Sequence, residues 1–277
     1  MRPARLTSPL TTPTGLRTAG GADPVVLVAH GSRDPRAAEA TRALGRAVSA
    51  ARPGTPVWTS WLDHTEPGPT EVLRGLAVAG HRRAVLVPLL LTAAYHHRVD
   101  IPAAVAAAAQ AGPPLAVRVT DVLGPADGTV DHALLTGLRR RLGESCTGRF
   151  DALVLAAAGT RDAGARGSVG LVADALGAEF GVPCRVSYAS AAPPATGVAV
   201  ARLRTVGARR VAVAGYFLAP GLFHDAVAEA ARAAGAVAVA DPLTDAPELV
   251  ELVLRRVDER SGRCDERSAR RVSASAV

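Results

Sequence analysis

His30, Asp63 and His96 stand 33 and 33 residues apart in a chain of 277, each just past a short Val/Leu-rich run. Two imidazoles and a carboxylate suit a first-row divalent ion such as Fe2+, Co2+ or Ni2+, and suit Ca2+ or Mg2+ poorly. A neutral imidazole also accepts a proton near pH 7. Each residue alone has an ordinary structural explanation. His30 could simply end a strand, Asp63 could open a turn before Pro67, and His96 could share a solvated loop with His97. Their joint spacing is the signal. His64, His81 and His132 read as surface residues.

The elements that must hold these side chains follow from the alternation of Val/Leu-rich runs with Ala/Leu/Arg amphipathic stretches, the pattern of βαβ units in a parallel sheet. Strands are expected near 24–30, 55–62, 83–91 and 115–119, with helices near 35–52, 69–80, 101–111 and 129–142. Asp34-Pro35 and Asp100-Ile101-Pro102 read as helix starts, since Asp caps free N–H groups and proline is tolerated in a first turn. In a flavodoxin-like sheet ordered 2-1-3-4, the first strand lies between the second and third, so the three tips are neighbours. At about 4.8 Å per strand the outer two lie ~10 Å apart, a gap that two side chains can bridge around one ion.

The second half repeats the first. VLVAHGSRDPR (Val26 to Arg36) aligns with VLAAAGTRDAG (Val154 to Gly164) at an offset of 128, and RRAVLVP (Arg82 to Pro88) with RRVAVAG (Arg209 to Gly215) at 127. The expected architecture is two similar parallel-sheet α/β units facing across a cleft, spanning 24–147 and 148–258. Residues 1–23 and 259–277 read as disordered extensions, and the first of these has no secretory apolar core. His30 maps to Ala158, Asp63 to Ser190 and His96 to Phe223, with His224 one position further on as a candidate helper from across the cleft. One site per chain is expected, in the amino-terminal half.

Composition removes several function classes. All 32 basic residues are Arg and the net charge is +7, but aromatic residues make up only 3% and the Arg-rich stretch 255–271 is interspersed with acids, so no nucleic-acid partner is expected. No apolar stretch reaches the ~20 residues of a membrane span. Cys146, Cys184 and Cys264 are odd in number and form no Cys-x-x-Cys pair, which points to a reducing cytoplasm and away from zinc ribbons or disulfide scaffolds. Nucleotide loops and hydrolase elbows are missing as well, so nucleotide-fuelled chemistry is not expected.

AHGSRD (Ala29 to Asp34), LDHTEP (Leu62 to Pro67) and PLLLTAAYHHRVDIP (Pro88 to Pro102) resemble the sirohydrochlorin chelatase and cobaltochelatase family of the class II chelatases, over about residues 24–255. The resemblance implies a two-unit long form whose metal ligands are His30 and His96, with Asp63 in a position where the family carries a glutamate. It also implies insertion of Fe2+ or Co2+, and by the same ligand chemistry Ni2+, into sirohydrochlorin without ATP, on the way to sirohaem or cobalamin. No cofactor is implied beyond the metal substrate. The carboxylates of such a tetrapyrrole call for donors at the rim, and Ser32, Arg33, Arg98 and Arg161 are the candidates. Two other readings compete: a protein that binds or delivers metal or tetrapyrrole without catalysis, and a ferrochelatase acting on another tetrapyrrole.

Overall fold

The computed structural model describes residues 22–259 apart from 111, 126, 127 and 245. Most of the expected leading and trailing segments, and Cys264 with them, lie outside the described residues.

Two four-stranded parallel sheets carry the fold. In the first, β1 (Val25–Ala29), β2 (Val57–Trp61), β3 (Arg83–Leu89) and β4 (Ala116–Val119) run in the order β2-β1-β3-β4. In the second, β5 (Ala152–Ala157), β6 (Cys184–Tyr188), β7 (Val211–Tyr216) and β8 (Ala238–Val239) run β6-β5-β7-β8. VVLVA and ALVLAA are apolar without alternation because β1 and β5 are central strands covered on both faces. Register sets the tips level: Ala29 lies opposite both Trp61 and Leu89, so the chain leaves β1, β2 and β3 at one edge.

Helices α1 (Pro35–Ala51), α2 (Pro69–Val78), α3 (Ile101–Gln110) and α4 (His132–Ser145) follow the first four strands. Helices α5 (Ala163–Phe180), α6 (Thr196–Thr205), α7 (Leu222–Ala233) and α8 (247–259) follow the second four. Asp34 caps α1 by accepting the Arg36 N–H at 2.9 Å, with Pro35 in the first turn, and Asp162 caps α5 through Ala165 N–H at 2.8 Å. No helix among the described residues is long and apolar enough to cross a membrane.

The two units exchange their last helices. After β4, α4 packs on β7 and β8 of the other sheet. Helix α8 reaches back: Arg256 donates to the Val122 carbonyl at 3.0 Å, Arg255 to the Asp131 carboxylate at 3.1 Å, and Asp258 receives both Arg52 nitrogens at 2.9 and 2.7 Å. One apolar core therefore runs between the sheets, joining Leu27, Leu89 and Leu138 to Leu155, Leu176 and Leu252. Smaller clusters cover the outer faces, under α2 and α3 in one unit and α6 and α7 in the other.

Asp131 ties these helices together, since its nearly buried carboxylate both caps α4 through Ala133 N–H at 2.9 Å and holds Arg255. Asp131→Ala is expected to cost about 3 kcal/mol, a helix cap plus charge-assisted bonds. Urea unfolding would show it as a lower midpoint at unchanged slope. A loss below about 0.5 kcal/mol, the size of an ordinary surface change, would refute that role.

Candidate metal-handling site

The site begins with a backbone contact. Leu62 and Asp63 N–H donate to the Ala29 and His30 carbonyls at 3.0 and 2.9 Å, which carries the β1–β2 pairing past the strand ends. Gly31 makes this possible: its φ is +96°, and a Cβ there would sit 1.8 Å from the Asp63 carbonyl oxygen. The second unit copies the arrangement, with Ala189 and Ser190 N–H on the Ala157 and Ala158 carbonyls and Gly159 at φ +99°, 1.9 Å from the Ser190 oxygen by the same measure. Ser32 Oγ accepts the Asp34 N–H at 3.0 Å, as Thr160 Oγ1 accepts that of Asp162 at 3.2 Å. The sequence repeat is thus a repeat of tip geometry.

His30 and His96 meet at this edge, with ring centroids 4.2 Å apart and planes 36° from parallel. His96 opens a π-helical turn, His96–Asp100, that runs into α3. Pro102 explains the widened turn, because it has no N–H and its ring would strike the carbonyl four residues back. Asp100 is consequently inside a helical turn and is not the expected cap; its Oδ2 lies 2.5 Å from His96 Nδ1. Desolvation pushes the His30 pKa down, and the neighbouring His96 pushes it further. Both causes disfavour imidazolium, so at pH 7 His30 presents a lone pair.

Asp63 is at the same edge but turns to its neighbour. Its Oδ1 accepts the His64 N–H at 2.8 Å and its Oδ2 lies 3.3 Å from His64 Nε2, with His64 held at φ 59°. Its charge still reaches His30 weakly, in the sense that raises the imidazole pKa. Among the described residues no group of three or more His, Cys, Asp or Glu is disposed around one ion. The structure brings the two imidazoles together and leaves the carboxylate beside them, paired with His64.

Two cavities of about 410 and 350 Å3 adjoin at His30, sharing Leu89, Phe217, Leu218 and Phe223. Ser32 and Arg33 line the larger, and His96, Ala158 and Tyr188 the smaller. Together they form a largely apolar cleft between the two units with His30 and His96 on one wall. On the facing wall Phe223, half exposed, stands where the repeat places the counterpart of His96. His224 is buried, donates Nε2–H to the Ala240 carbonyl at 3.2 Å and lines the larger cavity beside Phe223.

Of the other rim candidates, Arg98 reaches across to Asp162 at 3.0 Å, while Arg161 is exposed and its carbonyl accepts from Arg166 at 2.8 Å. Arg36, unremarked in the sequence, bridges Asp34 and Asp225, and these two carboxylates raise its pKa. Positions 98 and 225 are equivalent at the offset of 127, and 34 and 162 at 128. The cleft is therefore flanked by two related bridges between units. Both are exposed, so they orient the walls more than they stabilise them.

Compared with known proteins, the chain matches the CbiX family twice, over residues 24–139 and 152–260. Among solved structures it is similar to SirB from Bacillus subtilis with Fe3+ (TM-score 0.74, 20% identity, covering 86% of this chain and 94% of that one). It is similar also to the sirohydrochlorin chelatase SirB from Bacillus subtilis subspecies spizizenii in complex with cobalt (TM-score 0.70, 20%, 86% and 94%). A third likeness is to CbiX described as the terminal enzyme for biosynthesis of siroheme in denitrifying bacteria (TM-score 0.59, 18%, 85% and 98%). No curated protein matches. At these identities the structural likenesses are ones of fold, a two-unit α/β chelatase fold. With both halves matched in turn, the chain belongs to the CbiX family.

Proposed function

We propose that the protein is a metal chelatase, a lyase that inserts Fe2+ or Co2+ into sirohydrochlorin without ATP, in the cytoplasm. The observation that carries this reading is the paired His30 and His96 rings, 4.2 Å apart, opening on a cleft between two walls. Metallating a tetrapyrrole needs an ion held loosely enough to be handed over and a base for the pyrrole N–H protons. Two imidazoles supply both, and an incomplete ligand set favours release of what is here a substrate. Asp63 supports the bound ion by its charge. Ser32 and Arg33, which line the larger cavity, receive the substrate's carboxylates, and Arg98, released from Asp162, and Arg161 add donors beyond the cavity lining. The second unit, with Ala158 and Phe223 in place of the imidazoles, closes the cleft and does not chelate.

Anaerobic sirohydrochlorin mixed with Co2+ or Fe2+ and the protein should lose its free-macrocycle absorption faster than without protein. No acceleration would remove the proposal, and tight binding without turnover would favour the delivery reading.

Proton competition gives a second expectation. His30 has a pKa below the ordinary imidazole value of about 6.5, so its ligand form persists to lower pH than that of a free histidine. Co2+ affinity should hold from pH 8 down to about 6.5 and fall below it. The sign for folding agrees: the unfolded chain takes up this proton first, so the group's contribution to stability is intact above about pH 6.5 and is lost as pH falls towards the folded pKa. Titration calorimetry across pH 5–8 checks it; an affinity already declining at pH 7.5 would contradict it.

A further inference from the structure

The pairing of His96 with Asp100 carries an inference that rests on the ligand reading and deepens it. A free imidazole has two nitrogens and one proton, and only the nitrogen without the proton can take a metal. Asp100 Oδ2 lies 2.5 Å from His96 Nδ1. A carboxylate only accepts, so Nδ1 must be the donor, and in the neutral ring Nε2 carries the lone pair. His96 lines the smaller cavity beside His30, so its ring stands at the cleft wall.

The contact is made between residues four apart within a π turn. The Ile101 N–H bonds the His96 carbonyl, five residues back, and Pro102 follows at once. Residues four apart share one face of a helical turn, which sets the Asp100 carboxylate against the ring. The second unit provides an internal control. At the offset of 127, His96, Asp100 and Pro102 become Phe223, Val227 and Glu229, and α7 runs through them as an uninterrupted α-helix with Val227 buried. Histidine, carboxylate and proline are absent there together, as expected of parts of one device.

We propose that Asp100 is a positioning residue for metal transfer, holding His96 in the Nδ1–H tautomer so that Nε2 faces the ion. It touches neither the ion nor the macrocycle and acts only through His96. Carboxylates that orient metal-binding histidines in this way are typically worth 10- to 100-fold in affinity.

The test compares three variants of the full chain, His96→Ala, Asp100→Leu and Asp100→Asn, with wild type. Co2+ binding is measured by calorimetry, and the His96 tautomer by long-range 1H–15N spectra of histidine-labelled protein without metal. Circular dichroism establishes that each variant is folded. Wild type should show Nδ1–H. Asp100→Leu should shift the ring towards Nε2–H and weaken Co2+ roughly 10- to 100-fold. Asp100→Asn keeps an acceptor without the charge and should recover most of both. An Nδ1–H tautomer persisting in Asp100→Leu, or unchanged Co2+ affinity there while His96→Ala loses it, overturns the positioning role and leaves His96 as a ligand. Affinity lost in Asp100→Asn while its ring keeps Nδ1–H shows that charge and not orientation matters, which also overturns it. Unchanged affinity in His96→Ala overturns the ligand reading, and the role of Asp100 falls with it.

Discussion

Alanine at either His30 or His96 should slow metal insertion by roughly 10²- to 10⁴-fold, the range spanned by loss of a positioned acid–base group. Neither ring supports the core: His30 is exposed beyond β1 and His96 is half-buried at a helix start. Stability should therefore stay within about 0.5 kcal/mol of wild type, as for ordinary surface changes. The two effects should also be far from additive, because removing one ring already leaves a single imidazole against the ion. Rates followed by macrocycle absorbance, beside a thermal melt of each variant, decide the matter. A His96→Ala protein with full activity would move the ligand to His97 or dissolve the site.

Gly31→Ala and Gly159→Ala form a second, sharper pair. Both glycines have φ near +100°, and at both a Cβ would enter the carbonyl oxygen of the neighbouring strand tip. Each substitution adds backbone strain to the disruption of a tip hydrogen bond, a cost on the order of 3 kcal/mol or more. The stability losses should match, since the two geometries do. Activity should separate them. At Gly31 the displaced backbone carries His30 and Asp63, so insertion should collapse even at temperatures where the variant is folded. At Gly159 the displaced residues are Ala158 and Ser190, and the folded fraction should keep most of its rate. Equal loss of activity per folded molecule would show that both tips work on the metal, against the assignment to one half.

Much of this was legible in the residues alone, for local reasons. VLVA and VLAA read as short buried strands, and a spacing of two βα units in a sheet ordered 2-1-3-4 puts His30 and His96 at adjacent tips. The partner of each polar group was less legible. Asp63 sits at the expected edge, yet its carboxylate is claimed by His64, whose left-handed backbone follows from the turn and not from residue type. Asp100 before Ile-Pro has the chemistry of a helix cap, but the helical turn starts earlier, at His96, and its carboxylate meets that ring instead. The offset sets Phe223 opposite His96, and the structure adds that His224 also lines the cleft, the phenyl ring half exposed and the imidazole buried with its Nε2–H on the Ala240 carbonyl. Amphipathic patterns in α4 and α8 state that one face is covered but not by which sheet.

That last point decides how the molecule comes apart. Because α4 lies on the far sheet and α8 returns to the near one, cutting the polypeptide between them would strip each fragment of the cover for half its interior. A severed amino-terminal fragment would have to borrow the missing helix from a twin, and melting of the intact protein should follow a single transition. The histidine wall and its blank counterpart thus persist or vanish as one body.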